Sequence, residues 1–458
     1  MDRKISKKEE EKLKEESRKI SIKEGSAYSV MDGFGLRYVT PYALALGANN
    51  TQIGLLSSIP NLLGSFSQLH TIKLMKITTR RRIVFLGVLL QALMWLTLIG
   101  IGILYFTFNV NSSTAPELLI ITYSLLILFG SFTQPAWNSW MKDVIPEKFG
   151  KYIGIRNRIV GFVAIVCMLL AGFLLDYFKK WNLFLGFIVL FTIAFLGRAY
   201  SAYLFTKQYE PKLISNKNFN FSMIYFLKKI FKSNFGRFTL FVSLMILAVS
   251  IASPFFAVYM LKNLGFDYVS YIIISMSASI SSFIFVPAWG KFADKYGNLK
   301  VLKICGAAIP AISLFWLASV FFLKFDPIFL ILYLIIVELF SGFIWAGFNL
   351  ASGNFIYDVA DAEKVAHLTS YFNILNNLGV FFGALLGGVI ASLPFKIIGL
   401  DAILFIMLLS AIARLAIYLV FSFRIKEVRK VKKFGIKEAK ERFRNLNLNL
   451  REVIRIIS

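Results

Sequence analysis

The chain has 458 residues, of which 57% are hydrophobic and only 17% are charged. Soluble globular proteins contain about 45–50% apolar and about 25% charged residues, so this composition excludes an ordinary soluble enzyme, a disordered protein and a disulfide scaffold. The net charge of +26 would also suit a nucleic-acid binder. However, Lys and Arg lie between long apolar runs. We therefore expect a membrane protein with no nucleic-acid partner.

The apolar runs predict an all-α membrane protein with twelve transmembrane helices. A helix needs about 20 apolar residues to cross a bilayer. Runs of this length must be helical, because lipid offers no hydrogen-bond partners to the backbone polar groups. In chain order the predicted spans are 26–46, 51–72, 83–107, 117–140, 157–178, 182–205, 237–261, 268–290, 301–323, 327–350, 367–393 and 400–423.

The distribution of Lys and Arg predicts the orientation, because basic residues gather in cytoplasmic loops. Most of them lie in the N-terminal tail, the even-numbered loops and the C-terminal tail. Three arginines lie inside predicted spans, namely Arg37, Arg198 and Arg414. The opposite loops contain only Lys179, Lys180, Lys262, Lys324 and Lys396. We therefore expect a multi-pass plasma-membrane protein with both termini cytoplasmic and its basic tail on the anionic inner leaflet.

Three weak internal similarities at nearly one offset divide the chain into two halves. The stretch from Thr40 resembles that from Ser253, the stretch from Met141 resembles that from Ile356, and Arg198 falls opposite Arg414. They predict two six-helix bundles in the same orientation. The predicted parts are an N-terminal tail (1–25), a first bundle (26–205), a cytoplasmic linker with an amphipathic helix (206–236), a second bundle (237–424) and a C-terminal tail (425–458).

The loop after the eighth predicted span contains the most specific motif, with Gly290, Asp294, Lys295, Gly297 and Lys300 at fixed spacing. It is similar to the G-x-x-x-D-[RK]-x-G-x-[RK]-[RK] signature of the major facilitator superfamily. We expect Gly290 to allow close helix approach, Gly297 to permit a tight turn and Asp294 to cap or pair at a helix end. The resemblance implies that this loop latches the cytoplasmic gate, and that the substrate site lies at the midplane between two bundles.

The matching loop of the first half, 71–82, is basic and has no Asp. One hypothesis is that its cations face acidic residues of the second half across the cytoplasmic gate. The alternative is that they only hold the loop inside the cell. The acidic residues in question are Asp358, Asp361 and Glu363.

The resemblance places spans one, four, seven and ten around the cavity. In the tenth span, Glu338, Gly342, Trp345 and Asn349 lie within about 60° of one another on a helix. We interpret this stripe as cavity-lining. The alternative is that Gly342 and Trp345 pack between helices while Glu338 pairs with a buried arginine.

Amide side chains in two other spans are further substrate-binding candidates. They are Gln134 and Asn138 in the fourth span, and Asn373, Asn376 and Asn377 near the start of the eleventh. Amides within a membrane helix are costly unless they are hydrogen-bonded. They would therefore bind a polar substrate or bond across helices.

The first span contains Asp32 and Arg37, five residues and about 140° apart on a helix, which predicts that they do not pair. Arg37 is then a candidate for binding an anionic substrate group or Glu338, and Asp32 for an inner-gate residue. Arg198 and Arg414 occupy matching positions in the sixth and twelfth spans, which favours a structural role.

These features predict a secondary active transporter of a small solute that works by alternating access, not an enzyme. The sequence has no hydrolase, kinase, metal or nucleotide motif, so we expect no metal and no cofactor. Coupling to protons needs a membrane carboxylate that alternates between charged and neutral forms. Glu338 is the first candidate and Asp32 the second.

Two other functions stay open, a lipid translocator or scramblase on the same fold and a non-transporting membrane receptor. The polar residues do not choose between sugars, amino acids, organic anions and drugs as substrate. We expect a monomer.

Overall fold

A computed structural model of the chain describes residues 6–108, 114–145, 149–211, 223–359, 362–394, 396, 399–429 and 431. These residues form helices joined by short turns, and they contain no β-strand. In chain order the α-helices are α1 (Lys7–Phe34), α2 (Val39–Ala45), α3 (Asn50–Leu74), α4 (Arg80–Phe108), α5 (Thr114–Val144), α6 (Phe149–Lys179), α7 (Leu183–Lys207), α8 (Met223–Lys228), α9 (Asn234–Ser250), α10 (Phe255–Val258), α11 (Tyr268–Tyr296), α12 (Asn298–Ala318), α13 (Pro327–Val359), α14 (Ala362–Ala391) and α15 (Ala402–Phe421).

Ten helical stretches of the described residues are long and apolar enough to cross a membrane, and they coincide with the third to twelfth predicted spans. The first predicted span is divided between α1 and α2, and the second lies on α3, which carries polar residues such as Asn61 and Gln68. Both α1 and α3 nevertheless pack against other long helices, α1 against α6 and α7, and α3 against α5 and α14. The predicted all-α membrane fold is confirmed, and a count of twelve is consistent with it.

A break interrupts the first predicted span. α1 ends at Phe34, and the chain passes through Gly35 and a 3₁₀ turn (Leu36–Tyr38) before α2. A Cβ atom added to Gly35 would lie 2.4 Å from the Trp95 ring, so only glycine fits there. The second half has a similar break between α9 and α10, just before Pro254 and the helix that follows it. The first break lies just before the stretch from Thr40, and the second overlaps the start of the stretch from Ser253 that the internal repeat aligns with it.

The helices form two groups. In the first, α1 packs on α6 and α7, and α4 packs on α5 and α7. In the second, α9 packs on α14 and α15, α11 on α13, and α12 on α13 and α15. The two groups meet where α3 packs on α14 and α6 on α11. Large apolar side chains such as Phe162, Phe173 and Ile336 lie on the outer surface, as expected for helices that face lipid.

The two ends of the bundle differ in charge. We call the end that carries the loops around Arg80, Lys295 and Arg429 the basic end, and the end that carries Asn50 and Tyr268 the far end. The amphipathic helix predicted in the linker is seen only as α8, since 212–222 lie outside the described residues and 229–233 form turns.

Candidate functional site

The far end is closed by contacts between the two helix groups. Asp176 of α6 accepts hydrogen bonds from the backbone N–H groups of Tyr268 (2.9 Å) and Val269 (2.8 Å), where α11 begins. On the other side of the bundle, the Asn50 amide donates to the carbonyl oxygen of Ala391 (2.6 Å). These bonds join α6 to α11 and α3 to α14 across the boundary between the halves.

Close backbone packing extends the contact between α3 and α14 toward the middle of the bundle. A Cβ atom on Gly54 would lie 2.5 Å from the carbonyl oxygen of Ala384, so the two helices touch there. Further in, Asn377 donates its amide N–H to the hydroxyl of Ser65. Asn377, a predicted substrate ligand, therefore bonds across helices in this conformation. Its neighbour Asn376 accepts from Ser243 (2.8 Å), while Asn373 is exposed.

At the basic end, polar side chains pair within their own half. In the first half, Arg80 is only 1% exposed and binds Asp143 (2.6 Å) and Glu210 (3.3 Å). In the second half, Asp358 accepts from Asn298 (2.6 Å). Among the described residues, no hydrogen bond or ion pair joins the halves at this end. Within the described part of the chain, the contacts that join the halves therefore lie at the far end and the middle.

The hypothesis that the basic loop of the first half faces Asp358 is not met in this conformation. Arg80 binds carboxylates of its own half. The Asp358 carboxylate lies 4.0 Å from Arg429, in the second half. Asp361 and the side chain of Glu363 lie outside the described residues. The gate contact stays a prediction for a conformation in which the basic end is closed.

The signature loop makes its turn at Gly297, which has φ +92° and ends α11. The expected close helix approach at Gly290 is wrong, because a Cβ atom there would meet only Leu350, at 3.9 Å. The neighbouring Trp289 makes the contact with α13 instead, donating its indole N–H to the carbonyl of Phe343 (2.8 Å).

The acidic residue that caps the start of α12 is not Asp294. Asp294 is 79% exposed and lies 4.0 Å from Arg429. The carboxylate of Glu427, from the C-terminal segment, accepts from the backbone N–H of Leu299 (3.0 Å) in the first turn of α12. Of the other predicted gate residues, Lys295 lies over the Tyr296 ring and Lys300 lies in the first turns of α12.

The predicted stripe on α13 faces several neighbours. Glu338 accepts from the indole N–H of Trp316 on α12 (2.8 Å), not from an arginine. Gly342 lies against the backbone of Ala278 on α11, where a Cβ atom would not fit. Trp345 packs edge-on against Phe348, and Asn349 is exposed. Glu338 and Gly342 therefore contact α12 and α11. A cavity role for Trp345 and Asn349 stays a prediction.

The prediction that Asp32 and Arg37 do not pair is wrong. An Arg37 Nη2 atom lies 3.5 Å from an Asp32 carboxylate oxygen. The rule of 100° per residue does not apply across the break at Gly35, where the 3₁₀ turn brings Arg37 back over Asp32. The Arg37 side chain is 48% exposed. Its carbonyl accepts from the hydroxyl of Tyr271 on α11, in the other half (3.4 Å).

A cavity of about 560 Å³ lies within the first half. Gln134 and Asn138, both predicted ligands, line it and bond to each other (3.2 Å). Its charged lining residues are Glu24 of α1, Arg156 of α6 and Arg198 of α7. Glu24 accepts from Arg156 (3.1 Å) and lies 3.8 Å from Arg198. We call these three residues the first-half charge cluster.

The two symmetry-related arginines have different surroundings. Arg198 donates to Gln91 (2.7 Å) and Ser201 (3.0 Å) beside the cavity. Arg414 is buried and bonds to backbone carbonyls of Ile309 (3.3 Å) and Val249 (3.5 Å). The expectation that both are structural fits Arg414. Arg198 in addition lines a cavity, although its role there stays a proposal.

The sequence of the chain shows which protein family it belongs to. The sequence model of the Major Facilitator Superfamily matches residues 25–383 and, in a second match, residues 238–456. The chain belongs to the major facilitator superfamily. It is therefore a membrane transport protein, embedded in the bilayer by its apolar helices. No curated protein sequence matches it significantly.

Solved structures similar to this superfamily member agree on the fold. A mutant of the nucleoside transporter NupG has a TM-score of 0.70 at 16% identity, covering 90% of this chain and 100% of that one. A bacterial homologue of the iron transporter ferroportin, in an inward-facing state, has a TM-score of 0.67 at 13% identity, with coverages of 90% and 98%. A bacterial homologue of the human lysosomal transporter Spinster, inward-facing and unoccupied, has a TM-score of 0.61 at 14% identity, with coverages of 92% and 98%.

Two residues of the first-half charge cluster were not predicted as site residues. Glu24 precedes the first predicted span, and Arg156 falls in a loop whose cations are explained by orientation. Their burial follows from the actual lengths of α1 and α6 in this superfamily member, which extend well beyond the apolar runs. The sequence did contain a signal for this contact. An acidic residue next to the apolar run of one helix can face a basic residue next to the apolar run of a second helix.

Proposed function

We propose that this superfamily member is a secondary active transporter that moves a small solute by alternating access, with protons as the coupling ion. The observation that supports it is the asymmetry of the contacts between the halves. Asp176, Asn50 and Asn377 join the halves at the far end and the middle, while Arg80 and Asp358 bind within their own halves at the basic end. A transporter open toward its basic end has this pattern.

The proposed moving parts are the two bundles, 26–205 and 237–424, with the substrate path between them. The basic end then lies in the cytoplasm of a plasma-membrane protein, as the charge distribution indicates. The polar residues on this path include Asp32, Arg37, Asn349 and Asn373. The proposed protein works as a monomer, because each monomer contains both halves.

Of the two candidates for the coupling carboxylate, the geometry favours Asp32 over Glu338. Asp32 lies beside Arg37 at the break in the first span, and the Arg37 carbonyl contacts α11 of the other half through Tyr271. A rocking movement would alter this contact and with it the position of Arg37. Glu338 is bound to Trp316 within the second half, so the same movement would leave its partner in place.

A cross-linking experiment in proteoliposomes tests the proposal. Thr51 and Ser392 lie on opposite halves at the far end, with their hydroxyl oxygens 2.8 Å apart. Both would be replaced by Cys in a chain whose native Cys167 and Cys305 are replaced by Ala. Joining the pair with a short thiol cross-linker should stop solute uptake, because the far end can no longer open.

The matched control joins Asn234, at the start of α9, to Lys426, which follows α15. The Asn234 amide donates to the Lys426 carbonyl (2.8 Å), and this contact does not involve the first half. This link should leave uptake intact. The uptake assay would test nucleosides first, because the structural relative NupG is a nucleoside transporter. Sugars, amino acids and organic anions would follow. Uptake that survives the cross-link between halves would contradict alternating access, and movement of labelled lipid without solute uptake would favour a lipid translocator.

A further inference from the structure

The first-half charge cluster contains two positive charges and one negative charge. Glu24 is buried between two guanidinium groups, those of Arg156 (3.1 Å) and Arg198 (3.8 Å). These three are the charged residues that line the cavity. Removing an unbalanced charge from water is costly, so a bound anion would stabilise this arrangement.

Each arginine also has hydrogen-bond donors to spare. Arg156 uses its Nε for Ser21 (3.2 Å) and one Nη2 donor for Glu24. Arg198 uses its Nε for Gln91 and its Nη1 for contacts with its own helix and Glu24. Within the described part of the chain, Arg156 Nη1 and Arg198 Nη2 have no hydrogen-bond partner, and neither atom is fully enclosed by protein. Since both residues line the cavity, these two atoms are the candidate donors for a ligand there.

Aromatic rings hold the two guanidinium groups in place. Arg156 lies 4.9 Å from the centre of the Trp137 ring and Arg198 lies 5.1 Å from the centre of the Tyr28 ring. Such contacts fix the orientation of an arginine side chain. Polar groups that could contact the rest of a ligand also line the cavity, and they are Gln68, Ser131, Gln134, Asn138 and Asn157.

We propose that this cavity binds a small solute through an oxyanion group, a carboxylate or a phosphate. Arg156 Nη1 and Arg198 Nη2 donate to the oxyanion, and charge-assisted bonds of this kind are about twice as strong as neutral ones. The amides Gln134 and Asn138 contact the polar remainder of the solute. The cavity volume of about 560 Å³ suits a ligand of this size. The inference rests on the proposed function, because it names the class of solute that the transporter would carry. It places the binding site for that solute within the first half, not between the two bundles as the family resemblance implies.

A binding experiment on the purified full-length protein tests the site. Thermal unfolding is followed in detergent while benzoate, a carboxylate probe, or phenyl phosphate, a phosphate probe, is added at constant ionic strength with chloride as the balancing salt. At least one probe should raise the melting temperature. Arg156→Gln should raise the concentration needed for half of this effect by at least about tenfold.

Arg158→Gln is the matched control, since Arg158 is on the same helix, is exposed and does not line the cavity. It should leave the half-effect concentration unchanged. If Arg156→Gln does not fold, Arg156→Lys keeps the charge but loses the guanidinium fork, and it should still weaken binding several-fold. Equal responses of the Arg156 and Arg158 variants, or stabilisation no greater than with chloride, would overturn the proposal and leave the cluster with a structural role.

The binding assay and the uptake assay test the proposed site and the proposed transport function separately. Arg156-dependent binding in a protein that shows no uptake of any solute would overturn the transport proposal alone. Uptake of a solute by a protein with no Arg156-dependent binding would overturn this site alone.

Discussion

Asp176 and Tyr268 join the two halves of the protein at the far end. The Asp176 carboxylate accepts the backbone N–H of Tyr268 (2.9 Å) and also that of Val269 (2.8 Å), at the start of α11. The first N–H groups of a helix have no partner within the helix and carry partial positive charge, so a carboxylate stabilises them. Asp267 caps the same helix from its own half through the N–H of Ser270 (2.7 Å). α11 thus has two acidic caps, of which only Asp176 crosses between the halves.

Replacing Asp176 should favour opening of the far end. Asp176→Ala removes a cap that exists only while the halves are in contact, and losing a cap costs about 1 kcal/mol. The population open at the far end should therefore rise about fivefold. The measurement is the rate at which an impermeant thiol reagent labels a Cys at position 51, in a chain without Cys167 and Cys305.

Asp267→Ala is the control for this measurement, because it removes a cap of the same helix without touching the other half. It should destabilise α11 but leave the labelling rate near that of the parent. Equal labelling rates in the two variants would mean that the bond from Asp176 does not hold the far end closed.

The two glycines of the signature loop should respond differently to substitution. Gly297→Ala places a Cβ atom at φ +92° and 2.3 Å from the Glu427 carboxylate, which caps α12. The strain should cost about 1–3 kcal/mol and lower the melting temperature. Gly290→Ala meets only Leu350, at 3.9 Å, within a regular helix. It should leave the melting temperature unchanged or raise it slightly, since Ala favours helix by about 0.5–1 kcal/mol over Gly. A fall of similar size in both variants would contradict this distinction.

The fold could be predicted largely from the sequence, because length and apolar content decide which segments cross a membrane. Ten of the predicted spans coincide with apolar helices of the described structure. The signature loop around Gly297 identified the family that the whole-chain match then established. Helix ends were less accurate, as α1 and α6 extend far beyond their apolar runs.

The polar site was predicted less well, for two physical reasons. The geometry of Asp32 and Arg37 was derived for an unbroken helix, but Gly35 interrupts α1 and lets the two side chains meet. Glu24 and Arg156 were overlooked because each lies beside an apolar run, and their contact depends on how α1 and α6 pack. Pairing between helices that are distant in the chain depends on tertiary packing, which residue spacing within one helix does not contain.

Arg80 should be far more important for stability than its basic neighbours. Its side chain is 1% exposed and binds two carboxylates, those of Asp143 and Glu210, and the carbonyl of Pro211 (2.7 Å). Arg80→Gln removes the buried cation and leaves the partly exposed carboxylates of Asp143 and Glu210 without their charged partner, which should cost about 1–3 kcal/mol. The melting temperature of the purified protein should fall clearly.

Arg81→Gln removes the same charge from an exposed side chain one residue further along. Exposed positions of this kind contribute about 0.5 kcal/mol or less, so its melting temperature should stay near that of the parent. If the basic residues of this loop serve only to orient the protein in the membrane, the two variants would show equal stability.

The coupling carboxylate should be revealed by two isosteric substitutions. Asp32→Asn keeps the size of the side chain but leaves Arg37 without a charged partner, and the carboxamide has no carboxylate proton to exchange. If Asp32 carries the proton, uptake driven by a pH gradient should fall to the level of passive equilibration, while exchange of internal for external solute continues. Glu338→Gln can still accept from the indole of Trp316, so its gradient-driven uptake should persist. The measurement is accumulation of labelled solute in proteoliposomes with and without an imposed pH gradient, at matched amounts of inserted protein. Loss of accumulation in Glu338→Gln alone would assign the proton to Glu338, and full accumulation in both variants would exclude both carboxylates as proton carriers.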